Sequence, residues 1–96
     1  MYKSISLRYN ISRVMKMSTE RVKKMLKNIG VNLYLVRKKE MHKTQEEFAE
    51  LTGISKDTIS KIERGAVLPS LSSMMEISVV TNKSIDFFLS ESSETE

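Results

Sequence analysis

Five hydrogen-bonding side chains recur along the stretch SKDTISKIER: Lys56, Asp57, Ser60, Lys61 and Arg64. Residues spaced by three and four lie on one side of an α-helix. A lysine can donate to guanine O6 and N7, an aspartate can accept from cytosine N4, and a serine can do either. Such a row could therefore read the edges of base pairs. The alternative is a solvated helix on which Asp57 and Lys61 form an i, i+4 ion pair worth roughly 0.2–0.5 kcal/mol.

Residues suited to catalysis or metal binding are scarce in this sequence. His42 is the single histidine, it lies in a charged turn, and the chain has no cysteine. The sequence contains no Ser/His/Asp set, metal-ligand cluster or glycine-rich phosphate loop. It therefore predicts no enzyme, no metal site and no cofactor.

Length and composition favour one small globular domain with an extension. The chain has 96 residues, of which 40% are hydrophobic and 29% charged, which is typical of a folded protein. No apolar run approaches the roughly 18 residues of a membrane span, and the first fifteen residues lack the apolar core of a secretory signal. The absence of cysteine agrees with a reducing compartment. We expect a cytoplasmic protein.

Charge is distributed unevenly along the chain. The net charge is +4, but residues 1–28 carry eight Lys or Arg against Glu20 alone, whereas residues 29–89 contain eight charges of each sign. The last seven residues, SESSETE, add three glutamates and are expected to form an acidic disordered tail, residues 90–96. The basic N-terminal segment favours an anionic partner such as nucleic acid or an acidic protein. A merely solvated basic face is the alternative.

Helix starts can be recognised by their N-cap residues, which are Thr44, Ser55, Ser70 and Ser84. Thr44 with Glu47 forms a capping box. The helices predicted after these caps are QEEFAEL, KDTISKIER, LSSMMEISVVT and IDFFL. Upstream, Ile29, Leu33 and Val36 recur at helical spacing, so a first helix is expected over residues 29–40. Five short helices with brief connections predict an all-α bundle.

The core of this bundle is predicted from the apolar positions of the helices. We expect it to contain Leu33, Val36, Phe48, Leu51, Ile54, Ile59, Ile62, Leu71, Met74, Ile77, Ile85 and Phe88.

The segment before residue 29 has two different patterns. Apolar residues at positions 5, 7, 9 and 11 alternate strictly with polar ones, which predicts a strand over residues 4–12 that would need a partner strand. A disordered basic arm is the alternative. Residues 19–27 have helical spacing and form either a separate helix or an extension of the first helix, and Gly30 favours a break between them.

A glycine separates the second and third predicted helices with almost no connecting chain. Gly53 suits a left-handed backbone at the end of the second helix. Ala49 is small enough for the third helix to cross closely, and Ile54, Ile59 and Ile62 fall on the buried side. This pattern predicts a helix-turn-helix in which the third helix projects outward.

These features resemble the phage-repressor/Cro family of helix-turn-helix regulators, also called the xenobiotic-response-element (XRE) type. The resemblance covers about residues 29–89 and rests on IGVNLYLVRKK, TQEEFAELTGISKDTISKIERG, LPSLSSMMEIS and SIDFFL. It implies a five-helix domain that binds operator DNA, usually as a dimer, with the third helix in the major groove. On this basis residues 55–64 form the recognition helix, and Lys56, Asp57, Ser60 and Lys61 are its expected base readers.

Contacts to the DNA backbone are expected beside the groove. Thr44 and Gln45 lie at a helix N-terminus, where amide groups and the helix dipole favour an anion, and the matching glutamine of the family lies against the DNA backbone. Lys43 and Arg64 are expected to assist.

The resemblance also implies an arginine paired with Glu63. The stretch from Val36 to the N-cap of the second helix is one residue longer than usual in the family, so either Arg37 or Lys38 occupies that position. Phe87 stands where relatives usually have a polar residue, which makes it a candidate dimer contact or an additional core residue.

The sequence therefore predicts a dimeric, sequence-specific transcriptional regulator that binds double-stranded DNA. The main alternative is an antitoxin or anti-regulator that uses the same fold and binds a partner protein through residues 1–28. A weaker alternative is a sheet-forming oligomerisation module.

Overall fold

The computed structural model describes the backbone of residues 4–92 and the side chains of residues 19–92. Five α-helices follow one another, with a π-helical segment, Leu35–Glu40, directly after the first. The α-helices are α1 (Ser4–Tyr34), α2 (Gln45–Thr52), α3 (Lys56–Glu63), α4 (Leu71–Thr81) and α5 (Ile85–Leu89). No strand occurs between residues 4 and 92, so the predicted all-α fold is confirmed.

The helices α2 to α5 begin at the predicted N-cap residues. The Thr44 hydroxyl accepts the Glu47 N–H at 3.0 Å, and the Glu47 carboxylate accepts the Thr44 N–H at 2.9 Å, which completes the capping box. Ser55, Ser70 and Ser84 each accept the backbone N–H of the residue three positions later. Because these hydroxyls satisfy amides that have no partner inside the helix, each helix start is fixed locally.

The core lies where α1, the π-helical segment and the four shorter helices meet. Its buried apolar residues are Ile29, Leu33, Val36, Phe48, Ile54, Ile59, Ile62, Met74, Ile77 and Phe88. Ile85 is partly buried against this cluster. Every buried side-chain nitrogen and oxygen among the described residues has a hydrogen-bond partner, as a closely packed interior requires.

Two predicted core residues lie on the surface instead. Leu51 is 50% exposed and Leu71 is 71% exposed, so the prediction was wrong for both. The reason for Leu71 is that α4 is apolar on two faces: Met74 and Ile77 point into the core, whereas Leu71, Met75 and Val79 face outward. Spacing alone does not identify which apolar face of such a helix is buried.

Residues 4–12 belong to α1, so the predicted strand is not formed and that prediction was wrong. The alternating pattern overlaps with a helical one, because positions 7, 11, 14 and 15 are also apolar and continue the register of positions 22, 25, 26 and 29. A helix pairs its backbone groups within one segment, whereas a strand needs a neighbour, and none exists between residues 4 and 92.

The predicted helix over residues 19–27 is part of α1, which runs through Gly30 without a break. Gly30 has a packing role instead: a Cβ atom there would lie 2.6 Å from the Glu63 carbonyl oxygen and 2.8 Å from that of Ile62. Glycine thus allows the C-terminal end of α3 to contact the backbone of α1. The expected division between residues 28 and 29 falls inside α1.

The π-helical segment accommodates the extra residue expected between Val36 and Thr44. Within it the chain makes wider turns, and the Met41 N–H donates to the Val36 carbonyl, five residues earlier, at 2.9 Å. A π-turn absorbs one residue without shifting the helix on either side. The predicted helix over residues 29–40 is therefore two helical forms in succession.

Two asparagines of α1 hold the C-terminal end of α5. The Asn32 side-chain amide donates to the Phe87, Phe88 and Ser90 carbonyls at 3.1, 3.0 and 2.8 Å. The Asn28 amide donates to the Leu89 carbonyl at 3.0 Å. The last carbonyls of so short a helix lack amide donors four residues later within the helix, and the Phe87 carbonyl also accepts the Ser90 hydroxyl at 2.6 Å and the Ser90 N–H at 3.3 Å. Residues 90–92 of the predicted tail are therefore positioned next to α1, and residues 93–96 lie outside the described residues.

None of the helices in the described part of the chain is both long and apolar enough to cross a membrane.

Gly30→Ala should destabilise the protein by about 2 kcal/mol or more, because the added methyl group meets two backbone carbonyls that cannot move independently. Gly53→Ala, at a position where a Cβ atom meets nothing within 4 Å but φ is +77°, should cost only about 1 kcal/mol. Urea unfolding of the two variants measures both. An unchanged or raised stability of Gly30→Ala, as expected for glycine to alanine in an open helix, would contradict the close contact.

Candidate nucleic-acid interface

The turn between α2 and α3 depends on backbone geometry at Gly53. Its φ is 77°, in the left-handed region, and its N–H donates to the Ala49 carbonyl at 2.8 Å. Ala49 is partly buried against the core, as its small side chain allows. The buried Thr52 hydroxyl then accepts the Ile54 N–H at 3.1 Å. Glycine adopts this conformation without a Cβ clash, so the chain reverses within three residues.

The two faces of α3 differ sharply in burial. Ile59 and Ile62 are completely buried and anchor the helix to the core. The side chains that sequence analysis assigned to base reading lie on the other face: Lys56, Asp57 and Lys61 are exposed and Ser60 is half-buried. The structure therefore brings all four predicted residues to one surface of one helix.

The charged groups on this face pair with one another at its surface. Lys61 Nζ lies 3.1 Å from Asp57 Oδ2, and Lys56 Nζ lies 3.1 Å from Glu46 Oε2 at the start of α2. The hydrogen bond and charge of Lys56 hold the pKa of the Glu46 carboxyl below its usual value. Because both pairs are exposed, each contributes little to stability and can exchange for another partner.

The start of α2 lies beside the end of α3. The exposed Thr44 hydroxyl is used in the capping box. Gln45 is half-buried, and its side-chain nitrogen donates to Glu63 Oε1 at 3.0 Å. Lys43 precedes the cap and is half-buried, whereas Arg64 at the end of α3 is exposed and donates to the Ser60 hydroxyl at 3.4 Å.

A buried ion pair fixes α3 against the rest of the domain. Arg37 Nε and Nη2 donate to the two carboxylate oxygens of Glu63 at 2.6 and 3.0 Å, and both side chains are more than 90% buried. Arg37 Nη1 also donates to the Lys43 carbonyl at 2.6 Å. With the bond from Gln45, the pair joins the π-helical segment, the loop before α2, the first turn of α2 and the last turn of α3. Of the two candidates, Arg37 and not Lys38 therefore pairs with Glu63.

Phe87 is half-buried rather than fully exposed. Its ring stands edge-on to Phe88 at 5.2 Å between centroids, and the Lys83 ammonium lies 5.0 Å from its centre. These contacts agree with the reading of Phe87 as an additional core residue.

Basic residues of α1 extend the charged surface beyond the end of α3. Lys23 and Lys27 line an open groove of about 300 Å³ together with Arg64 and Gly65. The carbonyl end of a helix carries partial negative charge, so cations are favourable at this position.

Three contributors to this geometry were not predicted from the sequence. Gly30 lets α3 approach α1, the asparagines of α1 hold α5, and Glu46 pairs with a residue predicted to contact DNA. The only available signal was Asn28 and Asn32 four residues apart beside the buried positions of α1. Contacts between helices that are distant in sequence leave no periodic pattern.

Within the part of the chain that the structure describes, no group of three or more His, Cys, Asp or Glu is arranged to hold a metal ion.

A protein-family model described as helix-turn-helix matches residues 33–88, more than half of the 96-residue chain. The matched range begins near the end of α1, includes α2, α3 and α4, and ends within α5. Comparison with curated proteins and comparison with solved structures gave no match.

Arg37→Met should destabilise the protein by about 3–5 kcal/mol, because it leaves the Glu63 carboxylate buried without its cation. Adding Glu63→Met to this variant should restore much of the loss, since neither charge then remains buried. Urea unfolding of both single variants and the double variant gives the coupling free energy. The control Asp57→Ala removes an exposed partner and should change stability by less than about 1 kcal/mol. Equal losses in the Arg37 and Asp57 variants would contradict the anchoring role of the pair.

Proposed function

This chain belongs to the phage-repressor/Cro (XRE-type) helix-turn-helix family of DNA-binding regulators, and we propose that it regulates transcription by reading a specific duplex sequence. In this proposal α3 enters the major groove, and the protein acts as a dimer on an inverted repeat. The observation that carries the proposal is the surface of α3: Ile59 and Ile62 are buried in the core, whereas Lys56, Asp57 and Lys61 on the opposite side are exposed.

Rigid presentation of α3 supports base reading. Discrimination between base pairs requires hydrogen-bonding groups held in one orientation relative to the groove. Ile59 and Ile62 fix the rotation of the helix, and the Arg37–Glu63 pair fixes its C-terminal end. The position of α3 relative to the rest of the domain is thus fixed before DNA binds, and only its long exposed side chains need to change conformation.

The exposed ion pairs leave the proposed base readers available. Lys61 and Lys56 pair with carboxylates in the absence of DNA, and the pairs are weak because water surrounds them. In the groove each lysine can exchange its carboxylate for guanine O6 and N7, and Asp57 can accept from cytosine N4. Ser60, which is half-buried, is placed at the edge of the contact.

Backbone contacts are proposed at the start of α2. The amides of its first turn and the helix dipole favour a phosphate. The side-chain nitrogen of Gln45 carries two hydrogens, and its bond to Glu63 uses one of them. The second can therefore donate to a phosphate while the first keeps the side chain in place. Thr44, Lys43 and Arg64 are proposed as further phosphate contacts.

Dimerisation is proposed because an inverted repeat requires two copies related by a two-fold axis. In an isologous interface the same surface of each copy packs against its counterpart in the other copy. An apolar patch suits such an interface because it brings no like charges together. The exposed residues Leu71, Met75 and Val79 of α4 form such a patch. The edge of Phe87 remains a candidate for the same contact.

A second candidate function is binding of a partner protein through the basic N-terminal segment, as in an antitoxin or anti-regulator. The length of α1 favours it: the helix has 31 residues, and among its described side chains, from residue 19 onward, Ile29 is the first buried apolar one. Val22 within this part is 41% exposed. An amphipathic basic helix is a common means of binding an acidic groove.

Lys61→Ala should weaken binding to duplex DNA by roughly 5- to 150-fold, the range for a lost base contact of about 1–3 kcal/mol. Fluorescence anisotropy with a labelled duplex measures the dissociation constant over a range of salt concentrations. The wild-type affinity should fall steeply with salt because bound phosphates release counterions.

The matched control is Lys83→Ala, which removes the same charge from the turn between α4 and α5. It should change affinity much less than Lys61→Ala. An affinity that is insensitive both to salt and to Lys61→Ala would contradict DNA binding through α3.

Deletion of residues 1–17 separates the two candidate functions. If α3 reads DNA, the deletion should leave the preferred DNA sequence unchanged, since none of the proposed contacts lies in this segment. If the main role is binding a partner protein, the deletion should abolish that complex and Lys61→Ala should preserve it. Duplex binding and copurification of partners, each measured for both variants, distinguish these outcomes.

A further inference from the structure

Helix α1 crosses the end of α3 at close range. A Cβ atom at Gly30 would lie 2.6 Å from the Glu63 carbonyl oxygen, and one at Gly65 would lie 3.7 Å from the Leu26 carbonyl oxygen. The two segments therefore touch along about one turn of α1, residues 26–30. The part of α1 before this turn extends beyond the contact with α3.

The crossing creates an open groove, which we call the α1–α3 groove. It is lined by Lys23, Leu26 and Lys27 of α1 and by Arg64 and Gly65 at the end of α3. Lys23 and Lys27 are four residues apart, about 6 Å along the helix axis, and so lie on one face of α1. Both lysines and Arg64 are exposed. The groove thus presents three cationic side chains to solvent.

The positive charge of this groove has no available counter-charge. Among the described residues that line it, Glu63 is the only acidic one. The Glu63 side chain is more than 90% buried, and both of its carboxylate oxygens accept hydrogen bonds from Arg37. Its charge is therefore already compensated inside the domain. An anion from another molecule fits this arrangement.

The neighbouring lysine on α1 has a different environment. Lys24 Nζ lies 2.9 Å from Glu91 Oε2, and Lys24 lines a separate groove beside Leu89 at the end of α5. Lys24, by hydrogen bond and charge, holds the pKa of the Glu91 carboxyl below its usual value. One basic face of α1 thus has an acidic partner within the chain, whereas the face with Lys23 and Lys27 meets only a compensated carboxylate.

The α1–α3 groove is continuous with the polar face of α3. Arg64 Nε donates to the hydroxyl of Ser60, one of the proposed base readers, at 3.4 Å. Arg64 therefore lies between the base-reading face and the two lysines of α1. A helix in the major groove has the phosphates of the DNA backbone along its flanks. The ligand that α3 is proposed to bind thus carries anions beside the surface to which this groove belongs.

We propose that the α1–α3 groove binds backbone phosphates of the same duplex that α3 reads, with Lys23 and Lys27 as phosphate contacts in addition to Arg64. This inference rests on the proposed function and extends the DNA surface to a part of α1 that precedes the matched residues 33–88. Phosphates are the same for every sequence. The two lysines therefore strengthen binding to any duplex and do not change which bases α3 prefers.

The Lys23→Ala/Lys27→Ala variant tests the proposal. Fluorescence anisotropy measures its binding to the duplex preferred by the wild type and to a duplex of mixed sequence, each over a range of salt concentrations. Both affinities should fall by a similar factor, roughly tenfold or more, because two phosphate contacts are lost. The slope of log K against log salt should become less steep by about two. The preferred sequence should stay the same.

Two matched variants separate the groove from a general effect of charge. Lys24→Ala removes one positive charge from the adjacent position of α1 and should change the salt slope much less than either Lys23→Ala or Lys27→Ala. Lys23→Arg/Lys27→Arg keeps both charges and should keep the affinity of the wild type.

Urea unfolding distinguishes phosphate binding from a purely structural role. Lysines near the end of α3 could act only by stabilising the carbonyl end of that helix. In that case Lys23→Ala/Lys27→Ala would lower the unfolding midpoint and leave the salt slope unchanged, which would contradict the proposal. We expect an unfolding midpoint close to that of the wild type, since both side chains are exposed.

The contacted phosphates can be located with duplexes that carry one uncharged methylphosphonate at a time. The wild type should lose affinity at each phosphate that it contacts. At one or two of these positions the Lys23→Ala/Lys27→Ala variant should show no further loss, because its contact is already absent. Identical profiles for the two proteins would overturn the inference.

Failure of the proposed function has a different signature. It would appear as wild-type protein that binds no duplex, or whose binding is insensitive to Lys61→Ala. If both of those results support the function, an unchanged salt slope in Lys23→Ala/Lys27→Ala, or an equal change in Lys24→Ala, would overturn this inference alone. Capture of an acidic protein that requires both lysines, with duplex affinity unaffected by their removal, would also overturn it and assign the groove to a protein partner.

Discussion

The ion pair between Arg37 and Glu63 is the interaction on which the geometry of this domain depends. It joins the end of α3 to three parts of the chain that are distant from it in sequence: the π-helical segment, the loop before α2 and the first turn of α2. A buried pair is not by itself a strong source of stability, because both groups lose their hydration. Its value here lies in orientation, since a bidentate contact fixes angles as well as distance. Both helices of the proposed DNA surface are held by the same two side chains.

Two unusual backbone features make this pair attainable. The wide turns of the π-helical segment bring Arg37 to the carboxylate although the chain before α2 contains an additional residue. Gly30 lets the end of α3 approach α1, so that Glu63 lies over the interior rather than at its edge. Removing either feature would displace the pair without altering any residue that is proposed to contact DNA. The orientation of α3, on which the proposed function depends, is therefore determined in part by the π-helical segment and Gly30, which are not among the proposed base readers.

Local signals allowed much of the fold to be predicted. The four N-caps and Gly53 determine where α2 to α5 begin and where the chain turns, because caps and left-handed residues act within a few positions of sequence. The placement of Lys56 and Lys61 on the outer face followed from the burial of Ile59 and Ile62. Predictions failed where two patterns competed. Residues 4–12 have apolar positions that fit both strand and helix spacing. Helix α4 is apolar on two faces, and Leu71 was assigned to the buried one although it is exposed. The choice between Arg37 and Lys38 depended on a backbone form that spacing does not reveal.

The central claim is that α3 reads base pairs, and the most direct test is selection of bound duplexes from a random-sequence pool. Wild-type protein and the variant Lys56→Ala/Lys61→Ala should be compared under the same salt conditions. If α3 reads base pairs, the wild type should select an inverted repeat, whose half-site spacing reports the dimer geometry, and the variant should select no such repeat. Recovery of the same repeat by both proteins, or of no preferred sequence by the wild type, would contradict it.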